Sequence, residues 1–433
     1  MHRAIIVNDL GFGDAGKGSL TDALVRRHRA TLVVRYNGGA QAAHTVETSD
    51  GRRHTFHQFG SGTLVPGVET LLSEYVLFDP IALIAEESDL RRIGITDAFS
   101  RLYVDGRAKV TTPYHRIANR WREIARGAGR HGSCGLGIGE TVADSLAHPA
   151  DTLYADELSD ESVLREKLGR VRRRKRVELA SLPAADTADL REPLESEEEF
   201  EATVEVFRYV GERVCQTDIT RLADRLRRPG VTIFEGAQGV LLDEVYGFHP
   251  NTTWSRTTPE NAERLLCRSG FRGETIRLGL IRAYQTRHGA GPLPTESLEL
   301  TAALPDTSNP VNPWQGAFRV GWLDLVLTRY ALAAAGRIDA LAITCLDRLP
   351  ANPQVAIGYS LHGMPCEPET FDADNLTVSE RRGRELALVR PRYVAAPSDP
   401  DEYARRVAEK LRLPLAVTSF GPTAAAKRFI QVI

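Results

Sequence analysis

Short apolar, β-branched runs recur along the chain between longer stretches in which apolar residues return at helical spacing. Residues 4–7, 31–34, 230–234, 276–281 and 340–344 predict strands, and the intervening patterns predict helices, beginning with one over 20–28. Most of these strands end at glycines or polar residues. That alternation predicts an α/β fold with a P-loop-type, mostly parallel central sheet flanked by helices, whose strand ends gather ligands. Between 114 and 228 the pattern changes to charged amphipathic helices, for example over 197–226, broken by a polar stretch at 183–196. This segment reads as a helical insertion within one domain spanning 1–433, since a glycine loop stands near the start and a second glycine turn, Ser419-Phe420-Gly421-Pro422, near the end.

The first loop, Gly11-Phe12-Gly13-Asp14-Ala15-Gly16-Lys17-Gly18-Ser19, follows the strand pattern at 4–7 directly. A strand that ends in a glycine-rich turn and opens a helix aims several backbone N–H groups at one point, which suits a polyphosphate. Lys17 then sits beside the β- and γ-phosphates. The spacing nearly satisfies the P-loop pattern, but Gly18 stands where a Ser or Thr hydroxyl normally holds Mg²⁺. Asp14 is the only carboxylate inside the loop, so it serves as a metal ligand, as a base toward a second substrate, or as both.

Composition narrows the class. The chain has 433 residues, 42% hydrophobic and 26% charged, with a formal net charge of −2, which describes a globular protein and gives no reason to expect nucleic acid or a membrane surface as partner. The run Arg172-Arg173-Arg174-Lys175-Arg176 is flanked by acids and reads as a solvated helix face. Only six of the 55 Lys and Arg residues are lysines, which makes Lys17 within a glycine loop unlike filler. Five scattered cysteines without a CxxC pair suggest neither a disulfide framework nor a zinc site, and with no leader pattern or bilayer-length apolar run a cytoplasmic protein is expected.

Further segments are rich in residues that chemistry uses. They are Tyr36-Asn37-Gly38-Gly39-Ala40-Gln41-Ala42-Ala43-His44-Thr45, Glu235-Gly236-Ala237-Gln238-Gly239, Tyr284-Gln285-Thr286-Arg287-His288-Gly289-Ala290-Gly291-Pro292, Pro294-Thr295-Glu296 and Gly321-Trp322-Leu323-Asp324. Together with the first loop, and in this order, they resemble the adenylosuccinate synthetase family over nearly the whole chain. The resemblance implies a carbon–nitrogen ligase that uses GTP and Mg²⁺ to join IMP and L-aspartate: a loop aspartate takes the purine N1 proton while the γ-phosphoryl group moves to O6, and the amine then displaces phosphate from C6.

 

That resemblance assigns roles residue by residue. Asp14 is the base, His44 assists phosphoryl transfer, and Gln238 addresses the purine edge or the phosphorylated O6. GTP contacts are implied for Gly13, Asp14, Ala15, Gly16, Lys17, Gly18 and Ser19, for Ala43, His44 and Thr45, and for Asp347, Ser419 and Gly421. Acceptor-nucleotide contacts are implied for Gln41, Ser133, Cys134, Gln238 and Thr253. Arg319 is implied for the amino acid, Asp14 and Ala43 for the metal, and a homodimer for the assembly. Asp347, in Thr344-Cys345-Leu346-Asp347, retains the carboxylate that accepts from guanine N1–H and N2–H₂.

The chain also departs from the family pattern. Cys345 replaces a lysine, Ala15 and Ser19 replace a Glu and a Lys, and Ser133-Cys134-Gly135-Leu136-Gly137 stands where Thr-Thr-Gly-Arg-Gly is usual. Near His148 the family has an arginine that reaches the neighbouring subunit's IMP phosphate. The amino-acid loop reads Asn312-Pro313-Trp314-Gln315-Gly316-Ala317-Phe318-Arg319-Val320, in which only Arg319 remains of an arginine cluster. These changes cluster at the two acceptor substrates and largely spare the phosphoryl-transfer machinery, in which Asp14, Lys17 and His44 are intact. They leave open a relative that aminates another purine nucleotide, such as dGMP or a nucleoside-antibiotic precursor, and, in a different class, a nucleotide-binding regulator without turnover.

Overall fold

The strand His2–Asp9 is apolar and buried along almost its whole length, as a strand covered on both faces must be. Its alternation sends Ile5 and Val7 to one face, with Leu20 and Leu24 of the helix Lys17–His28. Ala4 and Ile6 go to the other, with Leu222 and Leu226 of the helix Ile219–Arg227 and Leu265 and Leu266 of the helix Glu260–Arg268. The chain is described here by a computed structural model covering residues 2–183, 188–306, 309, 311, 313–366 and 376–431.

Among the described residues, ten strands form the main sheet. Their order is Lys427–Phe429, Leu415–Ser419, Ala340–Thr344, Glu274–Arg282, His2–Asp9, Gly230–Glu235, Leu32–Arg35, Glu69–Leu72, Leu102–Asp105 and Cys215–Thr217. Every neighbouring pair is parallel except the first, where Lys427–Phe429 runs antiparallel to Leu415–Ser419. The mostly parallel α/β sheet flanked by helices is therefore as the apolar runs predict. All five expected strands are present with ends shifted by up to two residues.

The region 114–228 differs from its expected form in three ways. The helix expected over 197–226 is two, Glu197–Gly211 and Ile219–Arg227, because the strand Cys215–Thr217 between them adds to the sheet edge beside Leu102–Asp105. The stretch 183–196 contains a helix, Ala188–Glu195, with Pro193 inside it, while residues 184–187 lie outside the described residues. The basic run lies on the helix Glu161–Ala180 and does more than face solvent. Lys175 is buried against Asp144, Glu140 and Glu178, and Arg174 bonds Asp144 and Asp151, so the run ties neighbouring helices together. No helix among the described residues is long and apolar enough to cross a membrane.

Candidate active site

The carboxyl ends of six parallel strands carry the motif loops to one side of the sheet. Asp9, Arg35, Glu235, Arg282, Thr344 and Ser419 are their last residues. A cleft of about 830 Å³ opens there.

The glycine loop runs from Asp9 into the helix that starts at Lys17, one turn earlier than its apolar spacing predicts. Gly16, at φ 88°, is the residue before that helix and lets the chain turn into it. Asp9, unnoticed in the sequence, organises the turn. Its carboxylate accepts from Gly11 N at 2.8 Å, Ala15 N at 3.1 Å and Lys17 Nζ at 2.7 Å. The ion pair is almost completely buried. Asp14 adopts the left-handed region, φ 58°, which a short polar side chain tolerates. Burial raises its carboxyl above the usual aspartate value; Lys17, Arg282 and His288 oppose that rise and Asp9 adds to it.

Two close approaches weld this loop to its neighbours. A side chain on Gly239 would meet Gly11 O at 2.3 Å, so the turn after Gly230–Glu235 lies directly on the phosphate loop. A side chain on Gly18 would meet His44 Cβ at 2.8 Å, so the second loop is seated against the helix start. His44 is buried, and its Nδ1 lies 2.7 Å from Glu235 Oε1. The carboxylate can only accept, so Nδ1 donates and Nε2 is the nitrogen left for a substrate. Burial pushes the imidazole down to about 4, with Glu235 opposing. Burial would raise Glu235 as well, but His44 and Arg35 hold it below its usual value, and Ser61 N donates to its other oxygen at 2.9 Å.

Of the expected residues, Gly13, Asp14, Gly16, Lys17, Gly18 and Ser19 line the cleft, as do Gln41, Ala43, His44, Thr45, Cys134 and Gln238. Gln238 sits at φ 56°, and its Oε1 is buried without a hydrogen-bond partner, as are both amide atoms of Gln41. At the far end Asp347, Ser419 and Gly421 line the same cleft. Thr344 Oγ1 donates to Ala15 O at 2.8 Å and connects that end to the phosphate loop. Lys427 Nζ donates to Gly421 O at 2.7 Å, and burial lowers its ammonium to about 8.

Ala15, Ser133, Thr253 and Arg319 are not brought to the cleft lining. Ala15 is buried beneath the loop, Ser133 Oγ accepts from Asn119 Nδ2 at 2.8 Å, and Thr253 N donates to Leu242 O at 2.8 Å. Arg319 spends its donors on its own surroundings, bonding Gly289 O at 2.7 and 3.0 Å, Gly291 O at 2.7 Å and Glu296 Oε2 at 2.7 Å. The strand Phe318–Gly321 pairs antiparallel with Gln285–His288, placing Arg319 opposite Arg287. Arg287 is itself buried on the carbonyls of Ala290, Pro292 and Asn251, with its guanidinium 4.2 Å from the Phe12 ring centre. Asn312 of the same divergent segment lies outside the described residues. In Gly321-Trp322-Leu323-Asp324 the acid is structural: Asp324 caps the helix Leu325–Ala335 and accepts from the Tyr359 hydroxyl.

Two cleft residues, Arg282 and Arg120, carried no signal in the sequence, and a third, Trp314, was marked only as part of the divergent loop. Arg282 bonds Asp306 at 3.2 Å, Thr286 at 3.3 Å and Cys345 Sγ at 3.3 Å. Arg120 and Trp314 meet across the cleft wall, with the guanidinium 5.4 Å from the indole centre.

Comparison with known proteins agrees with this geometry. A family model described as adenylosuccinate synthetase matches residues 6–427. An adenylosuccinate synthetase of Clostridium botulinum is 30% identical over 97% of this chain and 97% of its own length, and one of Synechococcus is 34% identical over 96% and 94%. The fold matches that of the fully ligated Plasmodium falciparum adenylosuccinate synthetase, with TM-score 0.80 at 19% identity over 99% of both chains. It also matches a cyanophage S-2L succinoaminodeoxyadenylate synthetase bound to dGMP and dATP, with TM-score 0.60 at 14% identity, over 100% of this chain and 96% of that one. With a family model spanning nearly all of its length and the motif loops converging on one cleft, the chain belongs to the adenylosuccinate synthetase family of ligases.

Proposed function

We infer that this enzyme uses GTP to join L-aspartate to C6 of a 6-oxopurine nucleotide, converting IMP to adenylosuccinate through a 6-phosphoryl intermediate. The observation that carries the reading is the placing of Asp14, Lys17, His44 and Gln238 at one part of a cleft whose far end presents Asp347, Ser419 and Gly421. Asp14, whose carboxyl burial raises above the usual aspartate value, takes the proton from N1 as O6 attacks the γ-phosphorus and the bond to GDP breaks. Lys17 meets charge on the bridging and terminal oxygens. A polyphosphate beside His44 raises its depressed pKa, so Nε2 gains a proton as GTP binds and donates to the transferring group. The amine then attacks C6, inorganic phosphate leaves, and the amine proton is released to solvent.

The donor set fits Mg²⁺, which takes few protein ligands and completes its shell with phosphate oxygens and water. Asp14 and the Ala43 carbonyl, both at the cleft, would hold it, and it would supply charge neutralisation of the phosphates. The enzyme is expected to work in the cytoplasm as a homodimer.

A second reading, amination of a different purine nucleotide, is favoured by one feature. Trp314 packs against Gly135 in the acceptor half of the cleft, where a Cβ on that glycine would stand 2.9 Å from the indole. Incubating the enzyme with GTP, Mg²⁺, a panel of nucleoside monophosphates including IMP and dGMP, and a panel of amino acids separates the readings by mass spectrometry. Adenylosuccinate from IMP and aspartate supports the first, an adduct of another nucleotide supports the second, and phosphate release with none of them refutes ligase turnover.

A further inference from the structure

Arg120 stands out among the cations of the cleft. Lys17 is paired with Asp9 and Arg282 with Asp306, and Arg348 donates to the Pro305 carbonyl, whereas no carboxylate among the described residues pairs with Arg120, whose charge is felt by Arg116 and the Cys134 thiol. A half-buried guanidinium without a carboxylate favours an anionic ligand. Its pose is built. Nε donates to Gly135 O at 3.0 Å and the plane rests by Trp314, which leaves the terminal nitrogens for a partner. The preceding residue, Asn119, pins the same loop by donating to Ser133 Oγ at 2.8 Å and accepting from Gly137 N at 3.3 Å.

The cleft that Arg120 lines also holds Gln41, whose two buried amide atoms have no partner, and Leu136 of the loop Gly135-Leu136-Gly137 that opens the helix Ile138–Ala147. Both glycines have positive φ, 73° and 77°, and although the Gly137 N–H is held by Asn119, the turn delivers the start of that helix, whose next N–H groups favour an anion. A guanidinium, an unspent amide and a glycine turn at a helix start together match a phosphomonoester better than a lone carboxylate. Resting on the ligase reading above, we propose that Arg120 anchors the 5′-phosphate of the acceptor nucleotide, and does so from the same chain that holds the rest of that substrate.

The test is calorimetric titration of wild type, Arg120→Ala and Arg120→Lys with IMP, inosine, ribose 5-phosphate, ribose, GTP and L-aspartate. Wild type should bind each phosphorylated probe at least about tenfold more tightly than its unphosphorylated counterpart. Arg120→Ala should erase that margin while leaving inosine and GTP unchanged, and Arg120→Lys should restore part of it. A margin that survives in Arg120→Ala, or an equal loss for inosine and GTP, overturns the proposal; so does a loss confined to L-aspartate. Ribose 5-phosphate reads the phosphate contact without a base, so a wrong acceptor base would spoil the IMP and inosine results and leave the ribose pair to decide.

Discussion

The pair Asp9–Lys17 offers a direct measure of how the phosphate loop is held. Removing the acid in Asp9→Ala leaves a buried ammonium uncompensated, which costs about 3–5 kcal/mol. At roughly 2.1 cal/mol/K per residue, unfolding 433 residues carries about 0.9 kcal/mol/K, so the midpoint should fall by about 3–6 °C. Lys17→Met alone strands the carboxylate and should cost a similar amount. The double variant removes both charges, so its loss should be smaller than the sum of the single losses by about 2 kcal/mol or more. Thermal or urea unfolding of the four proteins closes the cycle. GTP adds a second reading, because with Asp9 gone the polyphosphate is the anion left for Lys17 and should raise the midpoint of Asp9→Ala more than that of wild type. A coupling within about 0.5 kcal/mol of zero would show that the pair does not organise the loop.

Four further outcomes are expected. Asp14→Asn should fold and bind GTP but lose about 10²-fold or more in kcat, and the acid limb of the wild-type rate profile should lie above pH 3.8; a variant keeping a tenth of the activity refutes the base. Gly18→Ala should lower kcat by about 10²-fold by displacing His44, visible as an unchanged fold with an altered imidazole NMR signal. Without nucleotide, His44 should titrate near pH 4 and GTP should raise that value. Because the unfolded chain takes up this proton first, stability should fall as pH drops from 6.5 toward 4, and a free-enzyme value near 6.5 by NMR refutes the burial argument. Asp347→Asn should weaken GTP and narrow its advantage over ATP, measured as the ratio of kcat/KM values, and equal use of ATP by wild type would overturn the assignment.

The parts of this site that were legible in the sequence are those written locally. A glycine loop after an apolar run announces Asp14 and Lys17, and a polar loop without core residues announces His44. Asp9 escaped because a carboxylate at the end of a buried strand looks like the start of a turn until three donors are seen on it. Arg120 escaped because it sits on a helix with Arg116 and Arg122, where charge ordinarily means solvent. Arg319 misled for a reason of parity: pairing of Phe318–Gly321 with Gln285–His288 sets it against Arg287 and the loop carbonyls. Strands such as Cys215–Thr217 and Lys427–Phe429 are three residues long, too short for a period of two to register, and only the neighbouring strand defines them.

The order of strands in the sheet bears on how the enzyme comes into being during translation. The phosphate loop leaves the ribosome early, yet the strand His2–Asp9 waits for Gly230–Glu235 and Glu274–Arg282 to flank it. Ser419 and Gly421 follow later still, after Leu415–Ser419 joins Ala340–Thr344. A nascent chain therefore exposes apolar strand edges through most of its synthesis, and its competence to hold the whole nucleotide arrives in one late step. Ribosome-bound chains halted before residue 415 should ignore GTP, whereas chains extended past 431 with a linker should bind it.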